Sequence, residues 1–252
     1  MNNNSNNNKI WRYMDFAKFL NLLHQDALFF PKLGILLEDP YEGTVPKKNL
    51  EEIRSIINKT RDEQYKDKAE LMLRNYCGQR KDEVFICSWH INHTESYLMW
   101  KTYCKIPDSV AIVSSIEYIQ EAIKEQNKGK VLYVADKVKY INFQEEKIDD
   151  LSKVPTDVRQ GVDININKVI LHKDIAFITE NEYRIVADLF RLKPELRKTL
   201  LKEGIGFFAP INPKNIIQEV YVHPKSEGWF LDLVNKVISP FGIEAKKSRL
   251  TK

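Results

Sequence analysis

The chain has 252 residues, of which 43% are hydrophobic and 29% are charged. This length and apolar content predict one packed domain rather than a disordered chain. The formal net charge is +4, from 39 basic and 35 acidic residues, which is too small a surplus for a dedicated nucleic-acid binder. Three cysteines without a Cys-x-x-Cys pair argue against a disulfide framework and favour a reducing compartment.

The two ends of the chain differ from its middle. Residues 1–9 are a polar, Asn-rich stretch that we expect to be disordered, and residues 246–252 are a basic tail that we expect to be solvated. Residues 10–245 are predicted to form a single domain. The N-terminal stretch lacks the apolar segment of a secretory signal, and no apolar run approaches the roughly 18 residues that span a bilayer. We therefore expect a cytoplasmic protein without a membrane partner.

The first half of the chain predicts strands and helices in irregular alternation. A short aromatic segment at 10–13 is compatible with a strand, and Asp15 then caps a helix with apolar residues at helical spacing. The further elements predicted in this half are a strand at 27–30, a turn at 38–43, a helix or helix pair at 49–75, a strand at 84–89, a helix capped by Thr94, a strand at 110–114 and a helix at 115–126.

The second half is less regular. Its predicted elements are a turn at 128–130, a hairpin of 131–134 and 138–143, strands at 169–172 and 178–188, a helix at 193–203, a strand at 216–222, a helix at 227–238 and a strand at 243–246. Residues 145–168 carry no clear pattern. Irregular alternation with hairpin-like pairs predicts an α+β fold with mixed, largely antiparallel sheets flanked by helices, rather than a doubly wound parallel sheet.

The segment 179–184 reads Thr-Glu-Asn-Glu-Tyr-Arg and carries the most chemistry. On a single strand, Glu180, Glu182 and Arg184 share one face. Two carboxylates about 7 Å apart raise the pKa of one of them, and an arginine on the same face opposes that shift. Such a trio suits a general base or a contact to a sugar hydroxyl. A solvated strand face with cross-strand ion pairs also explains it.

An arginine and a serine beside aromatic residues are further candidates. Arg12 stands between two aromatic side chains, where its fork can reach a phosphate or a carboxylate, or can simply cover a packed ring. Ser88 ends an apolar strand before Trp89, and Trp100 and Tyr103 follow one helix later. These residues are typical of a ring-binding pocket or of a core. No Gly-x-Ser-x-Gly elbow surrounds Ser88, so it is not predicted to be a nucleophile.

Metal and nucleotide motifs are incomplete. His90 and His93 have a separation seen in metal ligands, but no recognisable ligand set completes them, so no metal is predicted. The chain contains neither Gly-x-Gly-x-x-Gly nor a Walker loop, which argues against a Rossmann or P-loop nucleotide site.

The order of these motifs resembles a mostly bacterial family known as domain of unknown function 2971. The resemblance extends from about residue 10 to about residue 222. It rests, in chain order, on Arg12-Tyr13, Asp39-Pro40-Tyr41-Glu42-Gly43, Cys87-Ser88-Trp89, Met99-Trp100-Lys101-Thr102-Tyr103, Lys173 and Glu180-Asn181-Glu182-Tyr183-Arg184.

The same layout is similar to a reduced ADP-ribosyltransferase of the Arg–Ser–Glu type. In such enzymes an early arginine grips the phosphate side of NAD, a serine supports the nicotinamide ribose, and a Glu-x-Glu strand binds that ribose and orients the acceptor. The resemblance implies Glu182 as the catalytic carboxylate and Glu180 as the residue that positions the acceptor. It also implies a cofactor site formed by Arg12, Tyr13, Ser88, Trp89 and Tyr103. The run Cys-Ser-Trp departs from the Ser-Thr-Ser of those enzymes.

The function implied by this resemblance is that of an NAD-using enzyme, with NAD as substrate. It would transfer ADP-ribose to a protein or nucleic acid, or hydrolyse NAD, as a toxin or phage-defence effector. The arrangement requires Arg12, Ser88 and Glu182 to meet in one cleft.

Two other functions remain open from the residues alone. One is a non-catalytic module that binds nucleic acid or a nucleotide, in which Arg12, Lys173 and Arg184 contact phosphate together with the basic tail. The other is a metal-independent nuclease or hydrolase that uses Asp39, Glu42 and Glu182. A purely structural role for the polar motifs is the remaining possibility.

Overall fold

The computed structural model describes residues 8–36, 39–59, 63–79, 83–127, 131–153, 163–189, 192, 195, 201–202 and 204–251. Its strands are β1 (Lys9–Asp15), β2 (Ala27–Pro31), β3 (Val84–Ile91), β4 (Ser109–Ser115), β5 (Leu132–Lys137), β6 (Lys139–Ile141), β7 (Ser152–Lys153), β8 (Asp163–Ile164), β9 (His172–Asp174), β10 (Glu182–Asp188), β11 (Leu201–Lys202), β12 (Gly206–Pro210), β13 (Glu219–Val222) and β14 (Ala245–Lys247). Its α-helices are α1 (Phe16–Gln25), α2 (Lys47–Lys59), α3 (Glu63–Gln79), α4 (Tyr97–Tyr103), α5 (Ile116–Asn127), α6 (Ile166–Ile170), α7 (Pro213–Ile216) and α8 (Gly228–Ile238).

A seven-stranded sheet forms the centre of the fold, with strand order β14-β13-β4-β1-β3-β10-β5. Its neighbours are antiparallel except for β13 and β14, which run parallel. The register aligns the three central strands, because His90 of β3 lies opposite Trp11 of β1 and opposite Glu182 of β10. The predicted α+β class with a largely antiparallel sheet is confirmed.

The two faces of this sheet have different surroundings. One face, here called the core face, packs against α1, α5, α8 and a second sheet of order β11-β12-β2, in the largest apolar cluster. The other, here called the site face, is covered by two smaller clusters. One contains Tyr13, Met99 and Trp100, and so involves α4, while the other contains Ile86 and residues of α2 and α3. Since side chains alternate along a strand, each position of β1, β3 and β10 belongs to one face only.

Strands β2 and β12 of the second sheet pair closely at a position that has no side chain. Gly206 of β12 pairs with Pro31 of β2. A Cβ atom at Gly206 would lie 2.5 Å from the carbonyl oxygen of Phe30 and 2.5 Å from the ring of Phe29. That approach is shorter than any ordinary contact, so glycine permits the tight pairing of β2 and β12.

Several predicted elements differ from the structure because tertiary pairing overrides local pattern. The hairpin of 131–134 and 138–143 is wrong, since β5 pairs with β10 while β6 pairs in parallel with β9. Strand partners that lie far apart in sequence leave no signal in a short sequence window.

The helix after residue 94 differs only locally. It is capped by Ser96, whose side chain accepts from the backbone N–H of Met99, rather than by Thr94.

The strand predicted at 178–188 is also wrong in its first part. Residues 175–180 form a 3₁₀ helix, and Asn181 has a φ of 39°, a left-handed conformation that ends the helix before β10 begins. The strand expected at 169–172 is instead the end of α6 followed by β9, and the strand expected at 216–222 begins only at β13. Most of the helix predicted at 193–203, and the turn predicted at 128–130, lie outside the described residues, while residues 201–202 form β11.

The C-terminal segment packs onto the domain. Lys246 and Lys247 pair with β13, and Ser248 is buried with 3% of its surface exposed. Leu250 joins the apolar cluster beside α4. Within the described ranges, no helix is both long enough and apolar enough to cross a membrane.

Candidate active site

The first residues of β10 bring a carboxylate and a guanidinium onto the site face. Glu182 lies opposite His90 of β3, and Arg184 lies opposite Ser88. The guanidinium of Arg184 donates to both carboxylate oxygens of Glu182, at 3.0 and 2.9 Å from Nη2 and at 3.2 Å from Nε. Both side chains are buried, so this forked pair is shielded from solvent.

A turn far from β10 in sequence supplies a second carboxylate. The backbone N–H of Glu42 donates to the carbonyl oxygen of Asp39, and Gly43 follows with a φ of 65°. This turn directs the carboxylate of Glu42 to Nη1 of Arg184, which also donates to the carbonyl oxygen of Ile170 at 2.8 Å. Arg184 is therefore saturated by buried acceptors.

Lys173 of β9 and Glu180 of the 3₁₀ helix complete the cluster. The ammonium group of Lys173 contacts Glu180, lies 3.0 Å from Oε1 of Glu182 and is 3.8 Å from Oε2 of Glu42. The left-handed turn at Asn181 directs the Glu180 side chain toward the same site as Glu182, although only Glu182 belongs to the strand. We call Glu42, Lys173, Glu180, Glu182 and Arg184 the ionic cluster.

The two carboxylates at its centre have opposite pKa shifts. Burial alone raises the pKa of Glu182, but Arg184 and Lys173 outweigh it and hold the pKa well below its ordinary range, with a smaller contribution from the Ser88 hydroxyl. Burial and a hydrogen bond to Glu182 raise the pKa of Glu180, and Lys173 opposes this only in part. Glu182 is therefore fixed as a carboxylate, and Glu180 is the group that holds a proton more readily.

The ionic cluster carries an excess of negative charge. Its three carboxylates face two cations, Lys173 and Arg184. Burial would lower the pKa of Lys173, but Glu182, Glu42 and Glu180 raise it, so the lysine stays charged. Among the described residues, one negative charge of the cluster is left uncompensated unless Glu180 takes up a proton or a cationic ligand binds.

Glu180 connects the buried cluster to a partly exposed neighbour, Tyr103. Oε1 of Glu180 accepts a hydrogen bond of 2.9 Å from the phenol of Tyr103, and 44% of the Tyr103 surface is exposed. The ring of Phe177 lies 4.6 Å from the ammonium group of Lys173. Ser88 is half-buried between the two apolar clusters of the site face, so part of the strand surface beside Arg184 is accessible.

Arg12 does not reach this site, which corrects the expected meeting of Arg12, Ser88 and Glu182. By register and alternation, Arg12 lies on the core face with Trp89. Its guanidinium donates to Sγ of Cys87 at 3.0 Å and to the carbonyl oxygen of Phe29 at 3.1 Å, and lies over the Trp89 ring. Trp89 itself is 1% exposed in the main core, so neither side chain faces the ionic cluster.

The other aromatic candidates belong to a second buried carboxylate site. Tyr13 lies on the site face, and its hydroxyl accepts a hydrogen bond from the backbone N–H of Ser96. Trp100 is buried and donates from Nε1 to Glu95 at 2.9 Å. Glu95 also accepts from the hydroxyl of Ser248 and from the backbone N–H of Arg249. Trp100 thus anchors the C-terminal segment and does not line the ionic cluster.

Two residues contact Glu180 and Glu182 although the sequence did not indicate that they would. The hydroxyl of Tyr140 accepts from the backbone N–H of Glu182 at 2.9 Å, and Nδ1 of His90 lies 2.6 Å from the carbonyl oxygen of Glu180. Strand alternation could have placed His90 beside Glu182 once the register was known, but no local motif indicates Tyr140. In the described part of the chain, no group of three or more His, Cys, Asp or Glu residues is arranged to hold a metal ion.

Comparison with known proteins gives one family match. The family described as "Protein of unknown function (DUF2971)" matches residues 99–185. This confirms the resemblance over that part of the chain, which includes Tyr103, Lys173 and the segment 180–184. The earlier motifs, at residues 12–13, 39–43 and 87–89, lie outside the match. No curated protein matches the chain.

The fold of this chain has low similarity to two solved structures. A structure titled "Thermus sp. 2.9 DarT in complex with NAD+" is 9% identical, with a TM-score of 0.38 and coverage of 96% of both chains. A second, titled "Thermus sp. 2.9 DarT in complex with ADP-ribosylated ssDNA", is 11% identical, with a TM-score of 0.34 and coverage of 96% of this chain and 94% of that one.

Proposed function

We propose that the ionic cluster is the active site of an NAD-using enzyme that breaks the nicotinamide–ribose bond. The ADP-ribose unit is passed to a macromolecule, either protein or nucleic acid, or to water. The proposal rests on one observation: a buried cluster with more carboxylates than cations lies beside Tyr103, a residue with 44% of its surface exposed.

The charge of the cluster matches the charge change of this reaction. NAD carries a cationic nicotinamide ring, and cleavage of the bond to ribose moves positive charge onto the sugar. A fixed carboxylate beside that sugar stabilises the charge as it develops. We assign this part to Glu182, because Arg184 and Lys173 keep it ionised and hold it in one orientation.

Glu180 is proposed to handle the proton. Its raised pKa and its position beside Tyr103 suit a base that accepts a proton from the attacking hydroxyl or water. This assignment differs from the sequence interpretation, in which Glu182 is the catalytic carboxylate and Glu180 only positions the acceptor. Ser88, half-buried opposite Arg184, is proposed to contact the ribose, while Arg12 has no part in the proposal.

The geometry gives less support to the two alternatives. A phosphate-binding module needs Lys173 and Arg184 to face solvent, but both are buried against carboxylates. A hydrolase that uses Asp39, Glu42 and Glu182 needs a free and accessible carboxylate. Glu42 and Glu182 pair with Arg184, and Asp39 is buried, with its Oδ1 accepting from the backbone N–H of Tyr41.

Release of nicotinamide from NAD tests the proposal. We expect the wild-type protein to release nicotinamide and Glu180→Gln to lose about 100-fold or more of that rate, because the amide keeps the shape but not the basicity of the carboxylate. The control is Glu121→Gln, at an exposed carboxylate of α5 remote from the cluster. Thermal unfolding of each variant checks that the fold is retained.

Two outcomes would contradict the proposal. One is a wild-type protein that leaves NAD intact in the presence of candidate protein and nucleic-acid acceptors. The other is a Glu180→Gln variant as active as Glu121→Gln.

A further inference from the structure

His90 has a buried ring nitrogen that the mechanism above does not use. The residue is 8% exposed and lies on the site face, directly across from Glu182 and beside Trp11. Its Nδ1 lies 2.6 Å from the carbonyl oxygen of Glu180. Nε2 is buried and has no hydrogen-bond partner among the described residues.

The protonation of the ring follows from its partner. A backbone carbonyl oxygen can only accept, so Nδ1 must carry the proton. Burial lowers the pKa of His90, and the bond to the Glu180 carbonyl opposes this only in part, so the ring is neutral. Nε2 then presents a lone pair. A buried acceptor without a donor is costly, which marks it as a place where a ligand donor is favourable.

The surroundings of Nε2 connect it with the proposed active site. The Tyr13 ring centroid is 6.4 Å from the His90 ring centroid, and the Nδ1 bond ties the imidazole to the backbone of the residue that carries the proposed base. A donor bound at Nε2 therefore lies on the same face as both carboxylates. We propose that His90 is a substrate-binding residue whose Nε2 accepts a hydrogen bond from a neutral N–H or O–H of the ligand. This inference rests on the proposed function and adds a specificity contact to it.

Three kinds of group in NAD could supply that donor. The carboxamide of nicotinamide and the amino group of adenine offer an N–H, and the two riboses offer hydroxyl groups. Free nicotinamide carries only the carboxamide, and ADP-ribose carries only the adenine and ribose donors. Measuring the affinity of each for the protein by calorimetry therefore shows whether the nicotinamide or the ADP-ribose part of NAD supplies the donor.

Two substitutions separate the roles of the two ring nitrogens. In His90→Asn the side-chain amide can still donate to the Glu180 carbonyl, but no acceptor remains at the position of Nε2. In His90→Gln the longer side chain places an amide oxygen near the position of Nε2 and gives up the bond made by Nδ1. A contact to the ligand predicts that His90→Asn weakens one of the two probes about tenfold or more, while His90→Gln retains most of the affinity.

If His90 has only a structural role, we expect the opposite order of affinities, with His90→Asn close to wild type and His90→Gln impaired. That result would overturn the inference. A ¹⁵N resonance of Nε2 that neither probe shifts would also overturn it. If the wild-type protein cleaves NAD but both variants bind normally, only the His90 contact fails. If the wild-type protein neither cleaves NAD nor binds either probe, the proposed function and the contact fail together.

Discussion

Two buried carboxylate sites on the site face differ in how their carboxylates are paired. Glu95 accepts from the indole of Trp100, from the Ser248 hydroxyl and from the backbone N–H of Arg249, so its two oxygens are satisfied by the protein. Glu180 shares one lysine with other carboxylates and is otherwise held by a phenol at the surface. Burial of a carboxylate therefore does not by itself mark a candidate site. The ionic cluster is distinguished by its surplus carboxylate and by its contact with the partly exposed Tyr103.

The largest effect is expected from removing the cation that fixes the ionic cluster. Arg184→Met leaves Glu42 and Glu182 buried without their main partner, so we expect a loss of about 3–5 kcal/mol in the free energy of unfolding. Urea denaturation measures it. The matched control is Arg54→Met, whose ion pair with Glu70 is exposed and contributes at most about 0.5 kcal/mol. Equal losses for the two variants would show that the cluster is not a buried ion network.

A smaller loss of stability is expected at the other carboxylate. Glu95→Ala leaves three donors without an acceptor, which costs about 2–3 kcal/mol, and it also releases the C-terminal segment from α4. Faster tryptic cleavage after Arg249 would accompany the lower urea midpoint, with Glu121→Ala as the control. Nicotinamide release per folded molecule should stay unchanged. A loss of that activity on the scale of Glu180→Gln would mean that the two sites are not separate.

The smallest effect concerns an ion pair at the rim of the sheet. Burial would raise the pKa of Glu219, but hydrogen bonds from Lys246, Lys9 and Tyr221 lower it from an ordinary 4.5 to about 2. A depressed carboxyl pKa stabilises the fold above pH 4.5, and this contribution disappears as the pH falls toward 2. Glu219→Gln should therefore cost about 0.5–1 kcal/mol at pH 7 and nothing near pH 2. A pH-independent difference between the two proteins would refute the assignment.

Local pattern predicted most of the central strands and the longer helices, because their apolar periodicity is strong. The Asp15 cap, β3, β4 and α5 are examples, and Asp15 accepts from the backbone N–H of Lys18 as expected. Prediction from the local sequence pattern was wrong where a strand partner distant in sequence decides the structure. β5 pairs with β10 rather than with its neighbour in sequence, and nothing within residues 131–143 carries that information.

The residues of the ionic cluster were predicted only in part, for a related physical reason. Lys173, Glu180, Glu182 and Arg184 meet as the motif order suggested, and Glu42 joins them. Adjacent residues of a strand, however, point to opposite faces. Strand alternation alone therefore indicates that Arg12 and Tyr13 cannot both face one ligand.

The same reasoning applies to Ser88 and Trp89 on β3. Which member of each pair faces the ionic cluster depends on the register between β1, β3 and β10, and that register forms only in the folded sheet.

The most direct measurement compares the two carboxylates in one assay. Nicotinamide released from NAD is followed for Glu180→Gln and Glu95→Gln at equal concentrations of folded protein. We expect the rate of Glu180→Gln to fall about 100-fold or more, while that of Glu95→Gln stays within about twofold of wild type. Equal rates for the two variants, or a larger loss in Glu95→Gln, would contradict it.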